Sequence, residues 1–149
     1  MRRTAALAAI ILLATPSLLS AQTAAPPQAF LFGAWTGGFF PPPSQVSATT
    51  CLAQPTVIFL RDVVLRATLT DVIYTQRQVE TARGTGNGID IRFVPSAPQQ
   101  QAGGFGVVTD QGFGCASPDD LTVKRLSSNE IAFPGCSDFP FPLVRCPAG

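Results

Sequence analysis

The sequence has no histidine anywhere in its 149 residues, and its single lysine is Lys124. The missing histidine removes the side chain most used as a general base, as the centre of a nucleophilic triad and as a metal ligand. Lys124 stands beside Arg125 in an alternating run, where an exposed charge is expected rather than a Schiff-base amine. Charge is scarce as well. Ten basic and nine acidic side chains give a net charge of +1, with no block of one sign to attract nucleic acid or anionic lipid.

Cys51, Cys115, Cys136 and Cys146 form no CxxC pair, and no histidine is present to complete a ligand set. No acidic loop is dense enough for calcium. The expectation is a protein with no metal, no cofactor and no catalytic constellation. Carboxylates are the remaining chemistry. Asp119-Asp120 follow Ser117-Pro118, where a turn before a strand accounts for both, and adjacent strand residues point to opposite faces. Asp138 stands alone in "GCSDFPFP", where the expected role is an Asx-turn acceptor.

Apolar residues open the chain. Arg2-Arg3, the unbroken run Ala5–Ala14 and the small residues Ser20 and Ala21 follow the order of a secretory signal peptide, residues 1–21, with Ala25 as an alternative cleavage point. The run is shorter than the roughly 20 residues a membrane span needs. Gln22 stands where a lipoprotein would carry cysteine. The expected location is the periplasm or outside the cell, with no membrane span and no lipid anchor. A flexible segment, 22–29, is expected before a single β domain at 30–149 that carries a polar surface loop at 96–104. An even cysteine count in an exported chain predicts two disulfides.

Short alternating or branched runs recur between glycines and prolines: "AFLFGAW", "SQVSATTCL", "TVIFL", "VVLRATL", "DVIYTQRQVETARG", "GIDIRFV", "FGVVTD", "DLTVKRL", "EIAF" and "PLVRC". They predict an all-β fold, a small antiparallel barrel or sandwich of roughly eight to ten strands. The alternative is a helix across 56–83. Asn87-Gly88 reads as a hairpin turn rather than a phosphate loop, because a strand and not a helix follows. The arginines of the middle strands, interleaved with acids, read as a solvated face. A hairpin about Ser127-Ser128 sets Val123 opposite Ala132 and Asp119 opposite Cys136. That pairing favours Cys115–Cys136 and leaves Cys51 for Cys146; Cys136–Cys146 with Cys51–Cys115 stays open.

Two segments combine Phe with Pro: "GAWTGGFFPPP", inside an uncharged stretch from Gln22 to Pro55, and "FPGCSDFPFPLVRC". Their aromatics plug a core or form an apolar contact surface, and Trp35, Phe39, Phe40, Phe139 and Phe141 are the candidates. Trp35 is expected to cap the core. Phe39 and Phe40, if on a strand, would face opposite ways, one inward and one exposed.

Gly33-Ala34-Trp35 resembles the Gly-x-Trp of lipocalins and related calycin barrels, a broad superfamily that includes small exported inhibitors of bacterial proteases. The resemblance implies a first strand that carries Trp35 across the closed end of a barrel. "NEIAFPGC" and "FPLVRC" resemble segments of small exported bacterial β-domain proteins from which no activity carries over. The functional expectation is a non-enzymatic exported domain that binds an apolar small molecule or a protein partner, in the manner of an inhibitor. The alternative is a structural envelope protein without a ligand.

Overall fold

Branched and aromatic residues at every second position build the wall of a closed barrel. The computed structural model describes residues 25–42, 45–53, 55–68, 74–97, 99–100, 107–108, 110 and 112–147. The expected signal peptide and the part of the alternating run at 71–73 lie outside the described residues. The strands are β1 (Gly33–Gly37), β2 (Thr56–Phe59), β3 (Val63–Ala67), β4 (Thr75–Thr85), β5 (Gly88–Phe93), β6 (Gln99–Gln100), β7 (Val107–Val108), β8 (Asp120–Arg125), β9 (Glu130–Ala132) and β10 (Leu143–Arg145). Eight of them close an antiparallel barrel in the order β1-β10-β9-β8-β5-β4-β3-β2, while β6 and β7 form a separate ribbon. Closure pairs Trp35 with Arg145 and Gly37 with Leu143, which leaves the barrel no free sheet edge.

The inward phase carries Val57, Phe59, Val64, Ile89, Ile91, Phe93, Leu121, Val123, Ile131 and Leu143, all buried. The outward phase carries exposed Gln76, Gln78, Glu80, Arg92 and Lys124. An apolar inside and a charged outside is the inverse of a membrane barrel. Among the described residues no helix is long and apolar enough to cross a membrane.

Several expectations change. The segment 56–83 contains β2, β3 and most of β4, not a helix. "SQVSATTCL" contributes a short helix, α1 (Ala48–Ala53), because β1 is already flanked by β2 and β10 and offers no edge for another strand. Residues Pro27–Leu31, expected in part to be flexible, form a 3₁₀ turn. Proline at its start fits, since the first turn needs no N–H there. The 96–104 loop contains β6, which pairs with β7.

In β4 the alternation breaks at a bulge between Val79 and Thr81. Arg77 before it faces inward, and after it Ala82, not Thr81, does. The β8–β9 register is Lys124↔Ala132 and Arg125↔Ile131, one residue from the expected pairing. Directly opposed residues share a face, so the expected register would have turned Ile131 outward with its apolar surface in water.

One barrel end is closed by the 3₁₀ turn, which Gln28 ties to the β2–β3 turn by donating to the Arg61 carbonyl at 3.1 Å. Trp35 is fully buried above it, and its indole Nε1 donates to the Leu31 carbonyl at 2.7 Å. The Arg145 guanidinium lies 4.1 Å from the centroid of the Trp35 ring and donates to the carbonyls of Phe32, at 2.8 Å, and Phe30. Burial, and then the like charge of Arg125, lowers the pKa of Arg145 from its ordinary value. Arg125 in turn stacks over Phe30.

Cys51 is bonded to Cys146 and Cys115 to Cys136. The first bridge fastens α1, not an early strand, to the residue after β10. The second joins two connections at the open end of the barrel. The sequence separations are 95 and 21 residues. If each bridge acts mainly on the unfolded chain, replacing Cys51 and Cys146 by Ser should cost about 1 kcal/mol more than replacing Cys115 and Cys136. Urea unfolding of the two double variants measures that difference, and equal losses would show that native-state contacts dominate.

Candidate functional site

The short turns 60–62, 86–87 and 126–129 lie at the closed end, so the long connections 38–55, 94–119 and 133–142 gather at the other. Strand parity sends two cations into this end. Arg66 shares the inward phase of Val64 on β3, and Arg77 precedes the bulge on β4; they are 7% and 1% exposed. The expected solvated arginine face is therefore incorrect for these two residues. Exposed Arg92, paired with Glu80 at 3.2 Å, does fit that expectation.

The countercharges come from the connections. Asp110 bridges the two guanidiniums, accepting from Arg66 Nη2 at 3.3 Å and Arg77 Nη1 at 3.0 Å, and also accepts from the Gly112 N–H at 3.0 Å. Asp119 pairs with Arg77, and Asp138 pairs with Arg66 at 3.5 Å. Arg77 donates further to the carbonyls of Pro118, at 3.0 Å, and Val94. Asp138, expected as a turn acceptor, is instead mainly a countercharge, with the Ser137 hydroxyl 3.4 Å away. Asp120 points outward and is exposed, as strand parity requires. The arrangement can hold a connection over the barrel.

Phe113 enters the barrel between Asp110 and Asp119. It is 1% exposed, stacks on Phe93 at 5.7 Å, meets Phe133 edge to face at 5.6 Å and lies tilted against Phe139 at 6.0 Å. Arg77 lies over Phe93 and Arg66 over Phe113. Glycines at 112 and 114 flank the ring with φ of +66° and +68°, a conformation other residues rarely adopt. The barrel axis at this end is thus filled by rings and guanidiniums.

The aromatic candidates separate into two groups. Trp35 and Phe139 are buried, one under the closed end and one in the plug. Phe39, Phe40 and Phe141 are 41%, 50% and 40% exposed. Neither Phe39 nor Phe40 enters the core: Gly37 and Gly38, with φ of +101° and +82°, turn the chain out of β1, so strand parity no longer applies. The two rings meet edge to face at 5.0 Å. The connection that carries Phe141 meets the same turn, the Phe141 N–H donating to the Gly38 carbonyl at 2.7 Å and the Gly38 N–H to the Pro142 carbonyl at 3.2 Å. Beside Phe141, an open groove of about 550 Å³ is lined by Phe133, Pro134, Cys136, Phe139, Pro140 and Pro142, among others.

Sequence reasoning missed the Arg66–Arg77 pair. The signal was available: both follow the apolar phase of their strands, and Asp110, Asp119 and Asp138 each lie within two residues of a Gly or Pro in the connections. Comparison with known proteins gives no match to a family model, to a curated protein or to a solved structure.

Removing a partner from a buried ion pair leaves an uncompensated charge, which typically costs 3–5 kcal/mol, whereas an exposed pair contributes about 0–1 kcal/mol. Asp110→Ala should therefore lower unfolding free energy by about 3 kcal/mol or more, and Glu80→Ala by less than about 1 kcal/mol. Chemical denaturation of both variants tests the contrast; similar losses would deny the buried network its role.

Proposed function

We propose that the chain is an exported, non-enzymatic β-barrel that binds a protein partner through the uncharged aromatic surface of Phe39, Phe40 and Phe141. The observation that carries this reading is the division of the aromatics. The rings at the open end that could line a ligand cavity are packed into one another, while Phe39 and Phe40 stand exposed in edge-to-face contact and Phe141 is exposed on the neighbouring connection, whose backbone hydrogen-bonds to Gly38. A backbone anchored by the hydrogen bonds of Gly38 with Phe141 and Pro142 loses less freedom on binding, which favours affinity. Aromatic residues are also enriched where protein partners meet.

Export is supported by the order of Arg2-Arg3, the apolar run and the small residues after it, together with a cysteine complement wholly in disulfides among the described residues. The Gly-x-Trp likeness to calycin barrels agrees with the position of Trp35 at the closed end. A small exported inhibitor of a protease is the form of partner binding that this likeness favours. An apolar small molecule is the second reading. It would have to displace Phe113 to enter the barrel.

Crosslinking and capture from a native envelope extract tests the proposal. The triple variant Phe39→Ser, Phe40→Ser, Phe141→Ser should lose the captured partner while its unfolding free energy stays within about 1 kcal/mol of the parent, since exposed positions carry little stability. An unchanged capture pattern would reject this surface. A lipophilic compound that raises the melting temperature of parent and triple variant alike would support the small-molecule reading instead.

A further inference from the structure

On the outside of the wall, the β2–β3 turn, the first half of β4 and the chain leaving β5 border a hollow of about 330 Å³ that shares no residue with the exposed aromatic surface. Small-ligand sites commonly measure about 300–1,000 Å³. We infer that this hollow binds a neutral, polyhydroxylated ring, the chemistry of an uncharged saccharide.

Strand parity builds its polar side. Gln76 and Gln78 stand two residues apart in the outward phase of β4, so their side chains share a face at a spacing of about 7 Å. Asp62 borders the hollow from the turn and Ser96 from the chain after β5, and both are exposed. Among the described residues, none of these four side chains has a hydrogen bond or an ion pair within the protein. Val63, Val94 and Pro95 add apolar surface between them. The main chain fixes the three walls to one another. The Val79 N–H donates to the Asp62 carbonyl at 2.8 Å, the Val94 N–H donates to the Gln78 carbonyl at 2.9 Å, and Val63 is the ladder partner of Gln78. With the backbone held, binding costs side-chain freedom alone.

The bonding capacity of the lining points to the ligand. An amide both donates and accepts, as a hydroxyl does, so each glutamine can engage neighbouring hydroxyls. The Asp62 carboxylate has two acceptor oxygens and no donor, which suits hydroxyls on adjacent carbons. A peptide backbone, with one N–H per residue, offers no such pair. The apolar side chains match the C–H face of a sugar ring. Charge sets the other limit. Among the described residues of the lining, Asp62 is the only carboxylate and Arg77 the only cation, and Arg77 is turned into the barrel and paired with Asp110 and Asp119. A phosphate or carboxylate ligand would meet the repulsion of Asp62 with no exposed cation to offset it.

Amide NMR shifts of the whole protein, titrated separately with glucose, galactose, mannose and N-acetylglucosamine to about 50 mM, test the site. At least one sugar should give saturable shifts centred on the side-chain amides of Gln76 and Gln78 and the backbone amides of Val63, Val94 and Ser96, with a Kd of about 1–10 mM. The double variant Gln76→Ala, Gln78→Ala should bind that sugar about tenfold more weakly, because each lost hydrogen bond removes a few-fold in affinity. Both positions are exposed, and unchanged shifts across the rest of the spectrum verify the fold. The 6-phosphate of the same sugar should bind at least about fivefold more weakly, and Asp62→Asn should narrow that difference. No saturable shift with any of the four sugars, shifts that map to other residues, or undiminished affinity in the double variant would overturn the site. Equal or tighter binding of the 6-phosphate would overturn the neutral ligand.

Discussion

A guanidinium laid on an indole closes this barrel, and the rest of the structure is organised around that contact. Arg145 belongs to the last strand and Trp35 to the first, and the two are also partners in the ladder that joins those strands. Neither side chain acts alone. The indole N–H and the guanidinium both reach carbonyls of the 3₁₀ turn and the residue after it, so one cluster fixes the chain's entry, its exit and the floor between them. Cation–π attraction of this kind strengthens when water is excluded, and burial also lowers the pKa of Arg145. With the floor held, Cys51–Cys146 secures the same seam from outside through α1.

The open end is built on a different principle. It has long connections instead of tight turns, and those connections supply what the wall lacks: countercharge for Arg66 and Arg77, and a ring to fill the axis. Buried ion pairs contribute little net stability when complete and cost much when broken. They therefore act less as glue than as a requirement that Asp110, Asp119 and Asp138 all be in place. The same end displays Phe39, Phe40 and Phe141 outside the core. Packed rings inside and exposed rings outside arise within a few residues of each other, because glycines at 37, 38, 112 and 114 set which way the chain turns.

Much of this was legible in the residues. Alternation in "GIDIRFV" and "DLTVKRL" marked two wall strands and their inward faces, and Asn87-Gly88 marked the turn between β4 and β5. Trp35 after Gly33 was expected to cap the core. Acidic neighbours in sequence point Arg66 and Arg77 towards solvent, whereas the phase they share with Val64 and Val79 turns them inward. The β8–β9 register slipped by one for a related reason: a turn motif gives the position of a hairpin, whereas the burial of Ile131 selects between neighbouring registers.

The sequence by itself determined where strands form, which face of most of them is apolar, and where the chain must turn, because these follow from side-chain periodicity and backbone restrictions within a few residues. Tertiary structure decided the helix at Ala48–Ala53, the bulge in β4, the outward turn of Phe39 and Phe40, and the pairing of two buried arginines with three distant aspartates. Each of those depends on which edges, faces and charges are left without partners once the barrel closes, and no local stretch of the chain contains that information.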